Sequence, residues 1–337
     1  MATFQYAVRR LVSSIVTVIG VTIMAFWLSW VMPGDPARAA AGRYADAEEV
    51  QAIRVRMGLD QPKPVQYARY MGRLLQGDLG TSSHTKNLVV RELLIFLPAT
   101  LELMAVAMFL SAGIGVTLGV LTASSNSPRL SSFMMLFSYI AVGLPEFWAG
   151  LMFQLGFGGI LQILPISGRL SAGLLPAPTV TGMYTIDAAI VGDWRVFRDA
   201  ASHIVLPAVT LAIGRVASIA RITHASMLSV MRKDFIRTAR AKGVPERSVV
   251  FIHALKNALI PVMTTITMNA GWLIGGAIVV ENIFTWGGLG TYIFIAVFEL
   301  DIPVVMGVTL FITVAFMLLN LLADISYALF DPRIAYE

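Results

Sequence analysis

Between Asp234 and Asn257 the chain reads DFIRTARAKGVPERSVVFIHALKN, with Arg237, Arg240, Lys242, Arg247 and Lys256 in one short stretch flanked on both sides by apolar sequence. Cations at this density grip anions, whether carboxylates on a soluble partner or the headgroups of an anionic bilayer. Bond-making chemistry has no comparable signature. No GxxxxGK loop followed by Ser or Thr is present to cradle phosphates, and there is no HExxH and no GxSxG. The four histidines, His84, His203, His224 and His253, lie on different segments without metal-ligand spacing. Cysteine is absent, which excludes disulfides, thiolate nucleophiles and sulfur-ligated metal sites. We expect no catalytic residue and no metal ligand, so any uphill work needs energy from another chain.

The elements around this island belong in lipid. Of 337 residues, 57% are apolar and 13% charged, and mean hydropathy is +0.75; a soluble domain carries about 25% charged residues. Six stretches approach the ~20 apolar residues that cross a ~30 Å hydrocarbon core: Leu11–Met32, Ala99–Ala123, Phe133–Phe157, Ile204–Ile222, Ala258–Val280 and Val304–Leu329. Pro145, Glu146, Pro207 and Arg215 interrupt the third and fourth. Alternating ten-residue segments of the barrel type are not visible. The fold class is therefore all-α and polytopic, with six transmembrane helices. The first stretch is too long for a secretory signal core and reads as an uncleaved helix.

Lys and Arg set the orientation. Arg9, Arg10 and the basic run Arg221–Lys256 point to the cytoplasm, whereas Glu281–Pro303 carries no Lys or Arg. Both termini and the island are expected inside. The loop Pro33–Pro98, with nine cations against seven carboxylates, is expected outside. A pI of 9.6 then reflects topology, and no nucleic-acid partner is implied.

Within the outer loop, Asp46–Met57 has acidic residues at its front and Val50, Ile53 and Met57 on one helical face, stopped by Gly58. A second helix is predicted over Pro64–Leu75, before a turn at Gly77-Asp78, and a third near Ile186–Asp193. Gly115 with Gly119, and Gly271 with Gly275, have the spacing that lets helices approach closely in lipid. Glu102, Glu146 and Arg215 are the ionisable residues at depth, where each costs about 2.5–3.5 kcal/mol on insertion scales, and are candidates for contact with cargo. In the island, Asp234–Lys242 is helical in composition, Gly243-Val244-Pro245 breaks it, and Glu246–Asn257 resumes with Val249, Val250, Ile252, Leu255 and Leu259 as its apolar stripe. On pattern alone, a lipid anchor and a mechanical joint between two spans are equally good readings.

The residues of the island also carry a resemblance. Arg237-Thr238-Ala239-Arg240-Ala241-Lys242-Gly243, with His253-Ala254-Leu255-Lys256-Asn257-Ala258-Leu259-Ile260-Pro261 beyond it, resembles the EAA loop of ABC importer permeases of the dipeptide, oligopeptide and nickel group. Arg237 stands where other permeases have Glu, Thr238 where they have the first Ala, and Lys256 where they have Pro, departures that the peptide group shares. The similarity continues in order through the opening helix and its PGDP end, Gly58-Leu59-Asp60-Gln61-Pro62, Leu144-Pro145-Glu146-Phe147-Trp148, Leu206-Pro207-Ala208-Val209-Thr210-Leu211, and Glu281 to Gly290.

The resemblance implies a type I-like importer permease of the bacterial inner membrane, the B-type subunit of its group. It implies a first segment over 1–32, an extracytoplasmic insertion over 33–98, a five-helix permease core over 99–330 and a cytoplasmic tail over 331–337. The coupling loop would span 223–257. Its partners would be a homologous second permease, two cytoplasmic ATPases that bind ATP and Mg, and an extracytoplasmic substrate-binding protein, with no cofactor on this chain. Arg237, Thr238, Ala239, Arg240, Ala241, Lys242, Gly243, His253 and Leu255 would form the coupling site, with Ala239 and Leu255 on the docking face and Gly243 as hinge. Peptides are the implied cargo; members of the group also carry nickel, glutathione, opines or sugars. The competing class, a polytopic enzyme or channel acting alone, lacks convergent catalytic residues or a filter-like loop.

Overall fold

The computed structural model describes residues 15–27, 31, 35–42, 45–125 and 127–330. In chain order the helices are α1 (Ile15–Trp27), α2 (Pro36–Ala41), α3 (Ala47–Arg56), α4 (Lys63–Leu75), α5 (Val89–Ser124), α6 (Pro128–Gly143) and α7 (Glu146–Phe153). There follow α8 (Tyr184–Val191), α9 (Trp194–Met231), α10 (Asp234–Ala241), α11 (Glu246–Ser248), α12 (Leu255–Ile283), α13 (Leu289–Phe298) and α14 (Ile302–Phe330). No β-strand occurs among the described residues. The chain forms two compact units, Met1–Pro98 with Gly287–Leu318, and Ala99–Trp286 with Leu319–Ala335.

In the first unit the predicted surface helices form where their end signals stand. The Asp46 carboxylate accepts from the Glu49 amide at 2.7 Å, which caps α3. Gly58 (φ +69°) and Gly77 (φ +77°) take the left-handed conformation just beyond α3 and α4. Val89, Leu93, Leu289, Tyr292, Val304 and Val308 make the core of this unit. Asp301 closes the loop before α5, accepting from Ser82 Oγ at 2.5 Å and the Ser83 amide at 3.1 Å.

In the second unit α9 is the axis, and α6, α7, α8 and α12 pack along it. Close approach to α9 is made by small residues, as expected where lipid tails remove the hydrophobic drive between helices. A Cβ on Gly119 would lie 2.4 Å from Thr223 Cβ, and one on Gly115 2.9 Å from Ile219 Cβ. The second glycine pair behaves differently: Gly275 faces open space, and its neighbour Gly276 makes the tight contact described below. Leu103, Ala107, Leu211, Leu273 and Phe284 fill the centre, and buried Trp286 donates from Nε1 to the Ala99 carbonyl at 2.8 Å.

Among the described residues four helices are long and apolar enough to cross a membrane: Val89–Ser124, Trp194–Met231, the continuous run Glu246–Ile283, and Ile302–Leu321. The predicted third span, Phe133–Phe157, is not one straight helix. It bends by 102° between Arg129–Gly143 and Glu146–Ile160, because Leu144 is held extended (ψ 123°) before Pro145, whose ring disfavours helix in the preceding residue. Counting that pair as one span brings the total to five. The first predicted span falls partly on 11–14, 28–30 and 32, outside the described residues, as does the tail 331–337. Pro207, in contrast, sits inside α9 without ending it.

Candidate coupling and pathway sites

The basic island is built outward from a buried seam. Ile236 of α10 is fully buried among Val120, Met227, Val230, Val249, Val250 and Ala254. Helix α10 then ends in a Schellman turn: the Gly243 amide donates to the Arg240 carbonyl at 2.9 Å and the Val244 amide to the Ala239 carbonyl at 3.2 Å. Gly243 adopts φ +75°, and a Cβ there would meet no atom within 4 Å. The demand for glycine is therefore conformational rather than steric. Arg240 bridges the turn, its Nη2 and Nε donating to Glu246 Oε1 at 2.6 Å and Oε2 at 3.1 Å. That hydrogen bond raises the already high pKa of Arg240, so the cation persists at any physiological pH.

Ala239 and Leu255, expected on the docking face, are half-buried and pack on the same inner cluster. Facing outward are Arg237, Thr238, Ala241 and Lys242, with Phe235, Phe251 and Ile252 exposed beside them. His253 is half-buried and its carbonyl accepts from Asn257 Nδ2 at 2.8 Å. The predicted stripe is corrected in the same region. Val249–Ala254 forms a π-helical turn, whose extra residue rotates the helix. Val249 and Val250 are buried as expected and Leu255 and Leu259 half-buried, Ala254, Ala258 and Val262 join the buried row, and Ile252 turns outward at 61% exposure.

Of the three ionisable residues at depth, the fold brings two together. Glu146 opens α7 at the bend, and Arg215 reaches it from α9 with Nη1 2.7 Å from Oε1. The guanidinium also donates to the carbonyls of Leu211 (2.6 Å) and Trp272 (3.2 Å). Gly276 of α12 makes room: a Cβ there would fall 2.3 Å from Glu146 Oε2 and 3.2 Å from Arg215 Nη2.

Glu102 is elsewhere in this unit. Its carboxylate, 3% exposed as a residue, accepts from Arg169 Nη2 at 2.7 Å and from the Thr185 amide and hydroxyl at 2.7 and 2.6 Å. Arg169 also stacks 3.6 Å above the Tyr184 ring. Glu102 thus pins the segment before α9 to α5. Sequence reasoning missed Arg169, whose signal was a cation in an otherwise uncharged run of Pro, Gly and apolar residues. Asp187 secures the same segment. Burial raises its carboxyl, but the bonds it accepts from Thr181 (amide and hydroxyl, both 2.7 Å) and the Gly182 amide (2.9 Å) outweigh burial and hold it below the usual range. Among the described residues no group of His, Asp or Glu is arranged to hold a metal ion.

Comparison with known proteins bears on both sites. Residues 115–336 match the family described as binding-protein-dependent transport system inner membrane component, and residues 3–104 match the N-terminal membrane component of such systems. The chain is 42% identical to a probable D,D-dipeptide transport system permease of Escherichia coli, over 98% of each chain. It is 40% identical to a dipeptide transport system permease of Alkalihalophilus pseudofirmus, over 98% of this chain and 99% of the other. It is 36% identical to a glutathione transport system permease of Pectobacterium atrosepticum, over 99% of each.

Proposed function

The chain belongs to the family of binding-protein-dependent transport system inner membrane components, and from that premise we propose that it is one half of the pore of an ATP-driven peptide importer. Supporting the peptide assignment are the relatives above, two of the three being permeases for dipeptides. The reading includes six spans, cytoplasmic termini, an outer insertion over 33–98 and a core over 99–330. A second permease, two ATPases that bind ATP and Mg, and a substrate-binding protein complete the complex.

One observation carries the coupling part of this reading. The island is a short helix seated by Ile236 on the junction of α9 with the run Glu246–Ile283, leaving Arg237, Thr238, Ala241 and Lys242 outward. Force applied to those outward residues reaches two membrane helices through packed side chains, as a lever must. In the pathway, Glu146 and Arg215 form an ion pair at the bend, a pair that would have to open for its two charges to receive the termini of a zwitterionic peptide. Glu102, already saturated by Arg169 and Thr185, serves the architecture instead.

The test is uptake by proteoliposomes holding the purified complex with its binding protein outside and ATP inside. Labelled dipeptide should accumulate only with both present. Accumulation of nickel, glutathione or sugar in place of peptide overturns the cargo, and peptide flux through this chain without an ATPase overturns the importer.

A further inference from the structure

A cavity of about 1110 Å³ lies within the first unit, apart from the coupling and pathway sites. Its walls carry five cations, Arg54 and Arg56 from α3 and Lys63, Arg69 and Arg73 on or beside one face of α4. Two carboxylates share the lining, and both are engaged. Asp35 holds Arg54 at 2.5 Å, and Asp78 accepts from the Gly80 amide at 2.8 Å. No carboxylate among the described residues pairs with Arg56, Arg69 or Arg73. Burial lowers the pKa of Lys63, and the charge of Arg54 lowers it further.

The floor is apolar. It is made by Phe26 of α1 and by Ile302, Pro303 and Met306 in the first turns of α14. Helix α4 is fastened to α1 by aromatic and hydroxyl contacts: Phe26 meets the Tyr67 ring at 5.4 Å, and Thr22 Oγ1 lies 2.9 Å from Tyr67 OH. Tyr70 lines the same cavity, and a tyrosine beside the first turn of a membrane-length apolar helix, here α14, marks the level of lipid headgroups. Excess positive charge above an apolar floor at that level matches one molecule end to end, a phosphodiester with acyl chains below it.

We propose that this cavity is a binding site for the headgroup of an anionic glycerophospholipid, with Arg69 and Arg73 as the principal phosphate contacts. The guanidinium forks suit phosphate oxygens, and the recess beside α1 lets the chains remain in the bilayer. A protein partner with an acidic surface is less well matched, because the cations line a concavity rather than a face. The site does not depend on the identity of the cargo or on which leaflet the insertion faces.

The experiment is native mass spectrometry of the full chain released from detergent, titrated separately with phosphatidylglycerol, phosphatidylcholine and inorganic phosphate. Phosphatidylglycerol should add in a saturable first step, and neither phosphatidylcholine nor phosphate should compete. Arg69→Gln with Arg73→Gln should weaken that step about 25-fold, about fivefold for each cation removed from an anionic headgroup. Arg69→Lys with Arg73→Lys, which keeps the charge and guards against misfolding, should weaken it far less. Equal binding of phosphatidylglycerol to the wild type and the Gln pair overturns the site. Competition by inorganic phosphate at similar concentration overturns the lipid as its occupant. Loss of binding-protein docking in the Gln pair at unchanged lipid affinity shows the cations to serve a protein partner, and likewise overturns the proposal.

Discussion

Arg215→Met removes the guanidinium facing Glu146 while keeping an unbranched side chain in the helix. The Arg215 side chain is 8% exposed and that of Glu146 33%. Stripping one partner from a fully buried pair costs about 3–5 kcal/mol, because a charge is left without its counter-charge. Glu146 keeps a third of its surface, so part of its hydration survives and the expected loss is about 2–3 kcal/mol. Glu146→Gln alone leaves Arg215 charged, though its two bonds to the Leu211 and Trp272 carbonyls remain, and should cost about 1–2 kcal/mol. The double variant leaves neither charge, and its loss should fall short of the summed singles by about 1.5 kcal/mol or more. Thermal unfolding of the four proteins in one detergent, paired with peptide uptake, reads both consequences. Additivity within about 0.5 kcal/mol would refute the pair as an energetic unit. Unchanged uptake in Arg215→Met would remove it from the pathway.

Other perturbations act through packing and hydrogen bonds. Gly119→Ala places a methyl group 2.6 Å from the Ala220 carbonyl as well as against Thr223, and should destabilise the chain by about 1–3 kcal/mol in thermal unfolding, whereas Gly275→Ala, in open space, should not. Arg169→Ala leaves a buried carboxylate at Glu102 and should expose Gly182–Thr185 to protease while the chain still inserts. The Asp187 carboxyl is held below the usual range, so its stabilisation is complete above the unfolded pKa of about 3.9 and declines as pH falls through the lower folded value. The difference in thermal midpoint between wild type and Asp187→Asn should therefore shrink between about pH 6 and about pH 3.

What could be read from the sequence follows a physical line. Helices with local end signals, such as α3 with Asp46 and Gly58, were legible because caps act within a few residues. The break at Gly243 was legible for the same reason. The bend at Leu144-Pro145 was visible as a proline but not as a reorientation of 102°, because Pro207 and Pro261 sit inside helices that continue. Partnerships across the chain were invisible: Arg169 lies 67 positions from Glu102 and Arg215 69 from Glu146. Gly276 was hidden behind Gly275, whose spacing from Gly271 fitted the expected pattern. The π-helical turn at Val249–Ala254 left Ile252 outward, and no residue type announces such a turn.

The central claim is that energy enters through the island and depends on the left-handed turn at Gly243. Gly243→Val and Gly243→Asn separate conformation from bulk, since a Cβ has open space at this position. An L-residue pays about 1–2 kcal/mol in the left-handed region, most for β-branched side chains and least for asparagine. The decisive measurement is ATP-driven peptide uptake, per ATP hydrolysed, by complexes carrying each variant and assembled to the wild-type level. We predict that the valine complex loses uptake per ATP while the asparagine complex keeps most of it. Wild-type coupling in both, or equal loss in both, would contradict the account.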